Sequence, residues 1–140
     1  MTAAIDTNVL VGLWDLDDEL NASAQAALDT AFAQGRLVIS GAVFAELLAF
    51  PRRSELFVDQ FLSETGISVD WTTDDAIWRT AGRAFQGYAK RRRRQKSKGP
   101  RRLLGDFLIG AHALERGFSL LTLDDGIYRA AFPKLRILKV

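Results

Sequence analysis

The stretch Glu115-Arg116-Gly117-Phe118-Ser119-Leu120-Leu121 joins a helix-like segment to a short apolar run through a single glycine. The same order recurs at Ala33-Gln34-Gly35-Arg36-Leu37-Val38-Ile39 and at Glu64-Thr65-Gly66-Ile67-Ser68-Val69. Glycine is preferred just past the end of a helix, and an apolar run directly after it is typical of a following strand. Three such junctions, with no Asn-Gly or Asp-Gly hairpin between the strands, predict parallel β-α-β units.

Working outward from these junctions, the sequence predicts a sheet of about five short strands that alternate with helices. The strands are expected near Ala3–Ile5, Leu37–Ile39, Ile67–Val69, Ser119–Leu121 and Arg136–Leu138. The helices are expected near Asn8–Leu13, Ala22–Ala33, Gly41–Phe50, Ser54–Glu64, Asp74–Arg93, Asp106–Arg116 and Ile127–Ala131. Ser40 and Thr73 are expected to be N-caps. The predicted fold class is α/β with a mainly parallel sheet, in a single domain over residues 1–140.

The composition excludes several kinds of site. The 140 residues include no cysteine and one histidine. Disulfides, thiol nucleophiles and thiolate zinc sites are therefore excluded, as are metal sites that need two imidazoles. The N-terminal residues do not form a signal peptide, and no apolar run reaches the ~18 residues of a membrane span. We therefore expect a cytoplasmic protein without membrane contact, and carboxylates or hydroxyls must carry any catalysis.

Four acidic positions stand in otherwise apolar stretches. Asp6 is the only charged residue in positions 1–14, and Glu46 is the only one in positions 37–51. Asp106 is alone in positions 103–114 apart from a histidine, and Asp124 is accompanied only by Asp125 in positions 117–128. An acid inside an apolar element is expected to be partly buried, which is costly unless a partner compensates its charge.

The predicted topology brings these four acids together. Residues just past the carboxyl ends of parallel strands gather at one edge of a sheet, where such folds bind ligands. Asp6 and Asp124 follow strands, Glu46 lies in the helix that leaves a strand, and Asp106 begins a helix that returns to one. Clustered carboxylates repel each other, and a hard divalent cation relieves that repulsion. Oxygen ligands without histidine or cysteine favour Mg²⁺ or Mn²⁺, which commonly serve phosphate chemistry.

Structural explanations compete with this interpretation for each residue. Asp6 and Asp106 are also candidates for helix N-caps, and Glu46 for a buried ion pair. Asp125 fits a turn or cap beside Asp124. His112 lies six positions after Asp106, about 240° around the helix, so it is expected to face away from the acids and to pack in the core.

The net charge of +2 combines two opposed parts. Residues 90–102 contain nine of the 19 basic residues and no acid, which leaves 10 bases against 17 acids, or −7, in the rest. We call residues 90–102 the basic loop. The candidate RNA-binding residues of this loop are Arg91, Arg92, Arg93, Arg94, Lys96, Lys98, Arg101 and Arg102. Basic side chains bind polyanions by releasing counterions, so this basic loop is a candidate phosphate-binding strip close to Asp106. A solvated helix end is the alternative explanation.

Four motifs, taken in order, resemble those of PIN-domain ribonucleases. They are Ile5-Asp6-Thr7-Asn8-Val9-Leu10, Ser40 to Phe44-Ala45-Glu46-Leu47, Asp106-Phe107-Leu108-Ile109-Gly110-Ala111-His112-Ala113 and Leu121-Thr122-Leu123-Asp124. The resemblance is strongest to the VapC-type toxins of bacterial toxin–antitoxin pairs, and it extends over essentially the whole chain. It implies a PIN-like three-layer α/β/α fold.

The resemblance also implies roles for individual residues. Asp6, Glu46, Asp106 and Asp124 would be catalytic and would hold one or two Mg²⁺ or Mn²⁺ ions. Thr7, Asn8 and Thr122 would support the site. Asp125 departs from the family pattern, which often has a base there, so either Asp124 or Asp125 could reach the metal. A homodimer is implied, neutralised by a cognate antitoxin that inserts a tail into or near the site.

These observations predict a Mg²⁺- or Mn²⁺-dependent endoribonuclease that acts as a toxin and hydrolyses RNA through activated water. The main alternative is a non-catalytic RNA-binding or regulatory module, in which the acids only cap helices. A haloacid-dehalogenase-like phosphatase also has an aspartate after its first strand, but it needs a second aspartate where this chain has Asn8. Metal-dependent cleavage of generic RNA separates the nuclease from the binding module.

Overall fold

The computed structural model describes residues 1–96 and 104–140, so the basic positions Lys98, Arg101 and Arg102 lie outside the described residues. The described part forms five strands and seven helices. The strands are β1 (Thr2–Ile5), β2 (Arg36–Ser40), β3 (Ser68–Asp70), β4 (Ser119–Thr122) and β5 (Ile137–Lys139). The helices are α1 (Thr7–Trp14), α2 (Asn21–Gln34), α3 (Gly41–Leu47), α4 (Glu55–Thr65), α5 (Asp75–Arg94), α6 (Leu104–Arg116) and α7 (Asp125–Ala131). Each predicted strand and helix is present, with ends that differ by at most three residues.

The five strands form one parallel sheet in the order β3-β2-β1-β4-β5, which confirms the predicted fold class. The central strands are apolar on both faces, as a parallel sheet covered by helices requires. Ile5, Ile39 and Leu120 are completely or almost completely buried. Because β1 lies between β2 and β4, the crevice between β1 and β4 opens at the carboxyl ends of the strands, the usual ligand position in open α/β sheets.

The strand order explains why helices cover both faces of the sheet. The chain moves in one direction from β1 to β3, and then returns across β1 to reach β4 and β5. Since parallel crossovers are right-handed, reversing the direction transfers the later helices to the opposite face. Accordingly α1 packs on α2, whereas α5, α6 and α7 pack on one another. The result is the predicted α/β/α arrangement.

Two of the three glycine junctions end their helices as expected. Gly66 and Gly117 adopt the left-handed conformation, with φ values of 77° and 73°. Gly35 serves a different purpose, because its backbone is extended and passes close to the first residue. A β-carbon on Gly35 would lie 1.8 Å from the carbonyl oxygen of Met1, so the constraint there is a close backbone approach.

The N-cap predictions have mixed outcomes. Ser40 caps α3, because its side chain accepts a hydrogen bond from the backbone N–H of Val43. The Thr73 prediction is wrong by one residue, since Asp74 is the cap of α5 and accepts from the N–H of Ile77. Both residue types suit the position, and only the backbone geometry selects between them. In the described part of the chain, no helix is both long and apolar enough to span a membrane.

Candidate active site

The four predicted acids line one cleft at the carboxyl edge of the sheet. The cleft has a volume of about 500 Å³ and lies where β1 and β4 end. Its acidic lining residues are Asp6, Glu46, Asp106, Asp124 and, in addition, Asp18. Asp6 follows β1, Glu46 lies in α3, Asp106 is in the first turn of α6, and Asp124 follows β4. Strands and helices from both halves of the chain therefore converge here, as the sequence predicts.

Asp6 is the buried centre of the cluster, with 5% of its surface exposed. One carboxylate oxygen, Oδ1, accepts a hydrogen bond of 2.8 Å from the backbone N–H of Thr7, so Asp6 is also the N-cap of α1. The other oxygen, Oδ2, accepts a 2.8 Å hydrogen bond from the hydroxyl of Thr122. The capping role is therefore real, and it fixes the carboxylate within the cleft.

Glu46 is hydrogen-bonded to Thr7, the residue that directly follows Asp6. Its Oε1 accepts a 2.7 Å hydrogen bond from the hydroxyl of Thr7. Its other oxygen lies against Gly105, where an added β-carbon would be 3.0 Å from Oε2. Gly105 directly precedes Asp106, so the absence of a side chain there lets the Glu46 carboxylate approach the beginning of α6.

The loop after β4 is tied to the same cluster by the predicted supporting residues. The Asn8 side-chain oxygen accepts a hydrogen bond from the backbone N–H of Leu123, at 3.2 Å. The Thr122 hydroxyl accepts another from the N–H of Asp124, at 3.0 Å. Thr7, Asn8 and Thr122 therefore position the acids, each through a different partner.

The structure separates the two adjacent acids of the β4–α7 loop. Asp124 lines the cleft. Asp125 instead pairs with Arg129 at 2.7 Å and with Lys139 at 3.3 Å. These cations hold the pKa of Asp125 below its usual range. Asp125 is thus engaged outside the cleft, and Asp124 is the acid of this pair that faces it.

Burial and neighbouring charge both disfavour ionisation of Asp6. Its removal from water is the largest effect, and the nearby carboxylate of Asp106 adds to it, which together raise the pKa of Asp6 from 3.8 to about 6. The hydrogen bond from Thr122, the interaction with the Tyr128 hydroxyl and the hydrogen bond from Thr7 act in the opposite direction and do not cancel the rise. At neutral pH the cleft therefore holds a buried negative charge that a cation would stabilise.

Because the pKa of Asp6 is raised, we expect the free energy of unfolding, measured in EDTA, to depend on pH. The pKa of Asp6 is higher in the folded chain than in the unfolded chain, so stability that is present below about pH 4 is lost as the pH rises through 6. A rise from 3.8 to about 6 corresponds to about 3 kcal/mol of unfolding free energy. The variant Asp6→Asn should not show this decrease in unfolding free energy between pH 4 and pH 7.5. Denaturant titrations at the two pH values measure it. Equal pH dependence in both proteins would contradict it.

Tyr128 contributes an unusual group to the cleft. Its side chain is 1% exposed, and within the described part of the chain its hydroxyl makes no well-formed hydrogen bond. Burial, followed by the negative charges of Asp6, Asp106 and Glu46, raises the pKa of the Tyr128 hydroxyl far above its usual range. The hydroxyl therefore keeps its proton and is available only as a donor to these carboxylates.

The donor set fits a hydrated divalent cation better than a closed metal cage. Among residues 1–96 and 104–140, no three histidine, aspartate or glutamate side chains are arranged as a group that would hold a metal ion. Mg²⁺ usually keeps several waters and binds through one or two carboxylates and the substrate phosphate. Asp6 and Asp106, which influence each other electrostatically, are the pair that suits this mode of binding.

His112 lies outside the cleft, as predicted. It is 2% exposed, and its Nε2 is 3.0 Å from Oδ2 of Asp70, which also accepts a 2.8 Å hydrogen bond from Arg116. Burial lowers the pKa of His112, although Asp70 partly opposes this shift. Its contacts are those of a packed core residue.

The basic end of α5 lies at the same end of the molecule as the cleft. Thr80 bonds to Glu115, and Phe85 stacks on Phe107 at 4.8 Å, so α5 and α6 run antiparallel. Tyr88 also contacts Phe107, the neighbour of Asp106. From Tyr88, α5 continues for six residues, about 9 Å, through the arginines Arg91, Arg92, Arg93 and Arg94. These arginines therefore extend past the level of Asp106.

Sequence reasoning missed several residues of the cleft. Asp18 looks like an ordinary surface acid within Asp15–Glu19, and Tyr128 looks like a packing aromatic. Phe50 adds an exposed apolar surface to the wall. No local pattern marks these residues, because only the tertiary arrangement brings them to the acids.

Comparisons with known proteins agree with this architecture. The family model described as PIN domain matches residues 3–133. None of the curated proteins matches the chain significantly. Several solved structures are similar, among them VapBC-1 from nontypeable Haemophilus influenzae, with 20% identity, coverage of 99% of this chain and 98% of that chain, and a TM-score of 0.68.

Two further structures have comparable similarity. A toxin-antitoxin complex from Klebsiella pneumoniae is 18% identical, with a TM-score of 0.62, and the match covers 98% of this chain and 96% of that chain. VapC20 from Mycobacterium tuberculosis, a Sarcin-Ricin loop cleaving toxin, is 17% identical, with a TM-score of 0.59 and coverage of 93% and 95%. At these identities the likeness shows a shared fold.

Proposed function

This chain belongs to the PIN domain family, and from that premise we propose that it is a Mg²⁺- or Mn²⁺-dependent endoribonuclease and the toxin of a toxin–antitoxin pair. The observation that carries the proposal is the convergence of Asp6, Glu46, Asp106 and Asp124 in one cleft. The experiment that tests it is cleavage of RNA by the purified chain, with and without divalent cation, compared with a variant that lacks one of these acids.

Each acid has a distinct place in the proposed mechanism. Asp6 and Asp106 would hold the cation, because Asp6 is buried, its orientation is fixed by two hydrogen bonds, and its charge is coupled to that of Asp106. Glu46 and Asp124 would complete the negative lining and hold water or further ligands. When bound, the cation would activate water and neutralise the charge that develops on the scissile phosphate.

The protein's own residues prepare the site before substrate arrives. Thr7 joins Asp6 and Glu46 by donating through its backbone N–H and its hydroxyl, and Asn8 holds the loop that carries Asp124. These groups are fixed by hydrogen bonds on rigid elements, so little rearrangement is needed to accept the cation and the phosphate. The reaction would break a phosphodiester bond by addition of water, with the leaving oxygen taking a proton.

The arginine end of α5 would bind the RNA backbone beside the cleft. Arg91–Arg94 form the last turn of α5, and Arg93, Arg94 and Lys96 are exposed. Such residues also complement the helix dipole, which is the structural explanation for a basic helix end. Their position past Asp106 favours the additional binding role, because a backbone entering the cleft would cross this end of α5.

Neutralising this end of α5 should weaken RNA binding. We expect the variant Arg91→Gln, Arg93→Gln, Arg94→Gln to bind RNA less tightly, with the slope of log K against log salt reduced by about 0.7 to 1 for each lost phosphate contact. Fluorescence anisotropy with a labelled RNA at several salt concentrations measures both quantities. Arg36→Gln is the matched control, since Arg36 begins β2 at the opposite edge of the sheet. An unchanged salt slope would show that the arginines only solvate the helix end.

The partner assignments stay predictions. The prediction of a cognate antitoxin is supported by the Klebsiella structure, which has this fold and is a toxin-antitoxin complex. A homodimer is supported by two exposed aromatic side chains near the beginning of α3, Trp71 at 63% and Trp78 at 49%. Trp71 packs against Gly41 and Phe44, and Trp78 lines the neighbouring cleft with Ala42. A cytoplasmic location is consistent with an RNA substrate.

A further inference from the structure

Tyr128 places a buried hydroxyl in the lining of the acidic cleft. Tyr128, in α7, lines the same cleft as the acids, and among residues 1–96 and 104–140 its buried hydroxyl makes no hydrogen bond of good geometry. Buried hydroxyls normally find partners, and one left without a partner destabilises the fold. Phenylalanine would fill the same space without that cost. The hydroxyl therefore calls for an explanation that packing alone does not supply.

The surroundings of Tyr128 restrict what its hydroxyl can do. The acids that line the cleft with it include Asp6, Asp106 and Glu46, all of which accept hydrogen bonds when ionised. Asp6 and Tyr128 line the same cleft, and the interaction with the Tyr128 hydroxyl lowers the pKa of Asp6. The hydroxyl is thus a donor that already acts on the Asp6 carboxylate, although the two groups do not have the geometry of a fully formed hydrogen bond in this structure.

The lone pairs of Asp6 leave room for one more donor. An ionised carboxylate offers about four acceptor positions. The backbone N–H of Thr7 occupies one on Oδ1, and the hydroxyl of Thr122 occupies one on Oδ2. Two positions remain on the carboxylate, one for a cation and one for a further donor. Carboxylates that bind metal are themselves hydrogen-bonded, and these partners orient them.

We propose that Tyr128 is a positioning residue, whose hydroxyl donates a hydrogen bond to Asp6 when a divalent cation occupies the cleft. The bond would fix which lone pair of Asp6 faces the cation, together with the bonds from Thr7 and Thr122. Tyr128 holds Asp6 and does not contact the reacting phosphate. This inference rests on the proposed function, because it requires that Asp6 bind a cation.

The test is Tyr128→Phe, with Mn²⁺ binding as the primary measurement. Loss of a partner of a metal ligand typically weakens metal affinity by about 10- to 100-fold. We therefore expect the Kd for Mn²⁺, measured by isothermal titration calorimetry at pH 7.5, to rise by about 10-fold or more. The melting temperature in EDTA should stay the same or increase, because the variant loses an unpartnered buried hydroxyl. A purely structural role would not combine these two results.

Two other variants make the outcome unambiguous. Tyr88→Phe is the matched control, because Tyr88 is the only other tyrosine and does not line the cleft, so its Kd for Mn²⁺ should equal that of the wild type. Asp6→Asn should lose Mn²⁺ binding. If the wild type binds Mn²⁺, Asp6→Asn does not, and Tyr128→Phe binds with wild-type affinity, the role of Tyr128 is overturned while the metal site stands. If the wild type itself does not bind Mn²⁺, the proposed function fails.

Discussion

Asp106→Asn should lower the rate of RNA cleavage by more than about 100-fold while the fold is retained. Loss of a group that only orients a metal ligand already costs about 10- to 100-fold, and Asp106 is proposed to be a ligand itself. Asparagine keeps the size of the side chain but removes its charge, so it weakens the hold on the cation. The measurement is single-turnover cleavage of a generic RNA in millimolar Mg²⁺, with circular dichroism to confirm folding.

The matched control for Asp106→Asn is Asp125→Asn. Asp125 lies beside Asp124 at the same edge of the sheet, but its carboxylate pairs with Arg129 and Lys139 outside the cleft. Its loss should leave the cleavage rate within a few-fold of the wild type. If Asp106→Asn cleaves RNA at the wild-type rate, the proposal that the acidic cleft carries out cleavage is wrong. Equal losses in both variants would mean that the adjacent acid also reaches the cation.

A divalent cation should stabilise the folded chain and should be required for cleavage. A ligand that binds only the folded state stabilises it by about 2.7 kcal/mol when its concentration is 100 times its Kd. Mg²⁺ or Mn²⁺ should therefore raise the melting temperature, and EDTA should abolish cleavage. Differential scanning fluorimetry at constant ionic strength measures the shift, with NaCl as the control for screening.

The stabilisation by cation should depend on the acids of the cleft. Asp106→Asn should lose most of the shift in melting temperature, because one of the two proposed ligands is absent. Identical shifts in this variant and the wild type would place the cation elsewhere on the protein. Cleavage that continues in EDTA would contradict metal chemistry altogether.

Much of the fold follows from local patterns in the sequence. The glycine junctions at Gly66 and Gly117 are visible because a left-handed cap favours one residue type. Asp6 and Asp124 are placed correctly because parallel topology sends every strand end to the same edge. Both acids stand in apolar stretches, which is visible in the local sequence. The structure brings both to one cleft.

Other features depend on contacts between distant segments and leave no local signal. Gly35 is required because the first residue passes close to it, and Gly105 lets Glu46 approach α6. The hydroxyl of Tyr128 becomes significant only once α7 packs on α5 and α6 and Tyr128 lines the cleft with the acids. The basic run is visible in the sequence, but the position of Arg91–Arg94 past Asp106 follows from the antiparallel packing of α5 on α6.

The central claim is that this acidic cleft directs water to an RNA phosphodiester bond with the help of a divalent cation. The most direct measurement is mass spectrometry of the new RNA ends after cleavage in ¹⁸O-labelled water with Mg²⁺. The account predicts one labelled oxygen in the phosphate at the cleavage site, no 2′,3′-cyclic phosphate, and no product with EDTA or Asp106→Asn. An unlabelled 2′,3′-cyclic phosphate end, formed equally well in EDTA, would contradict it.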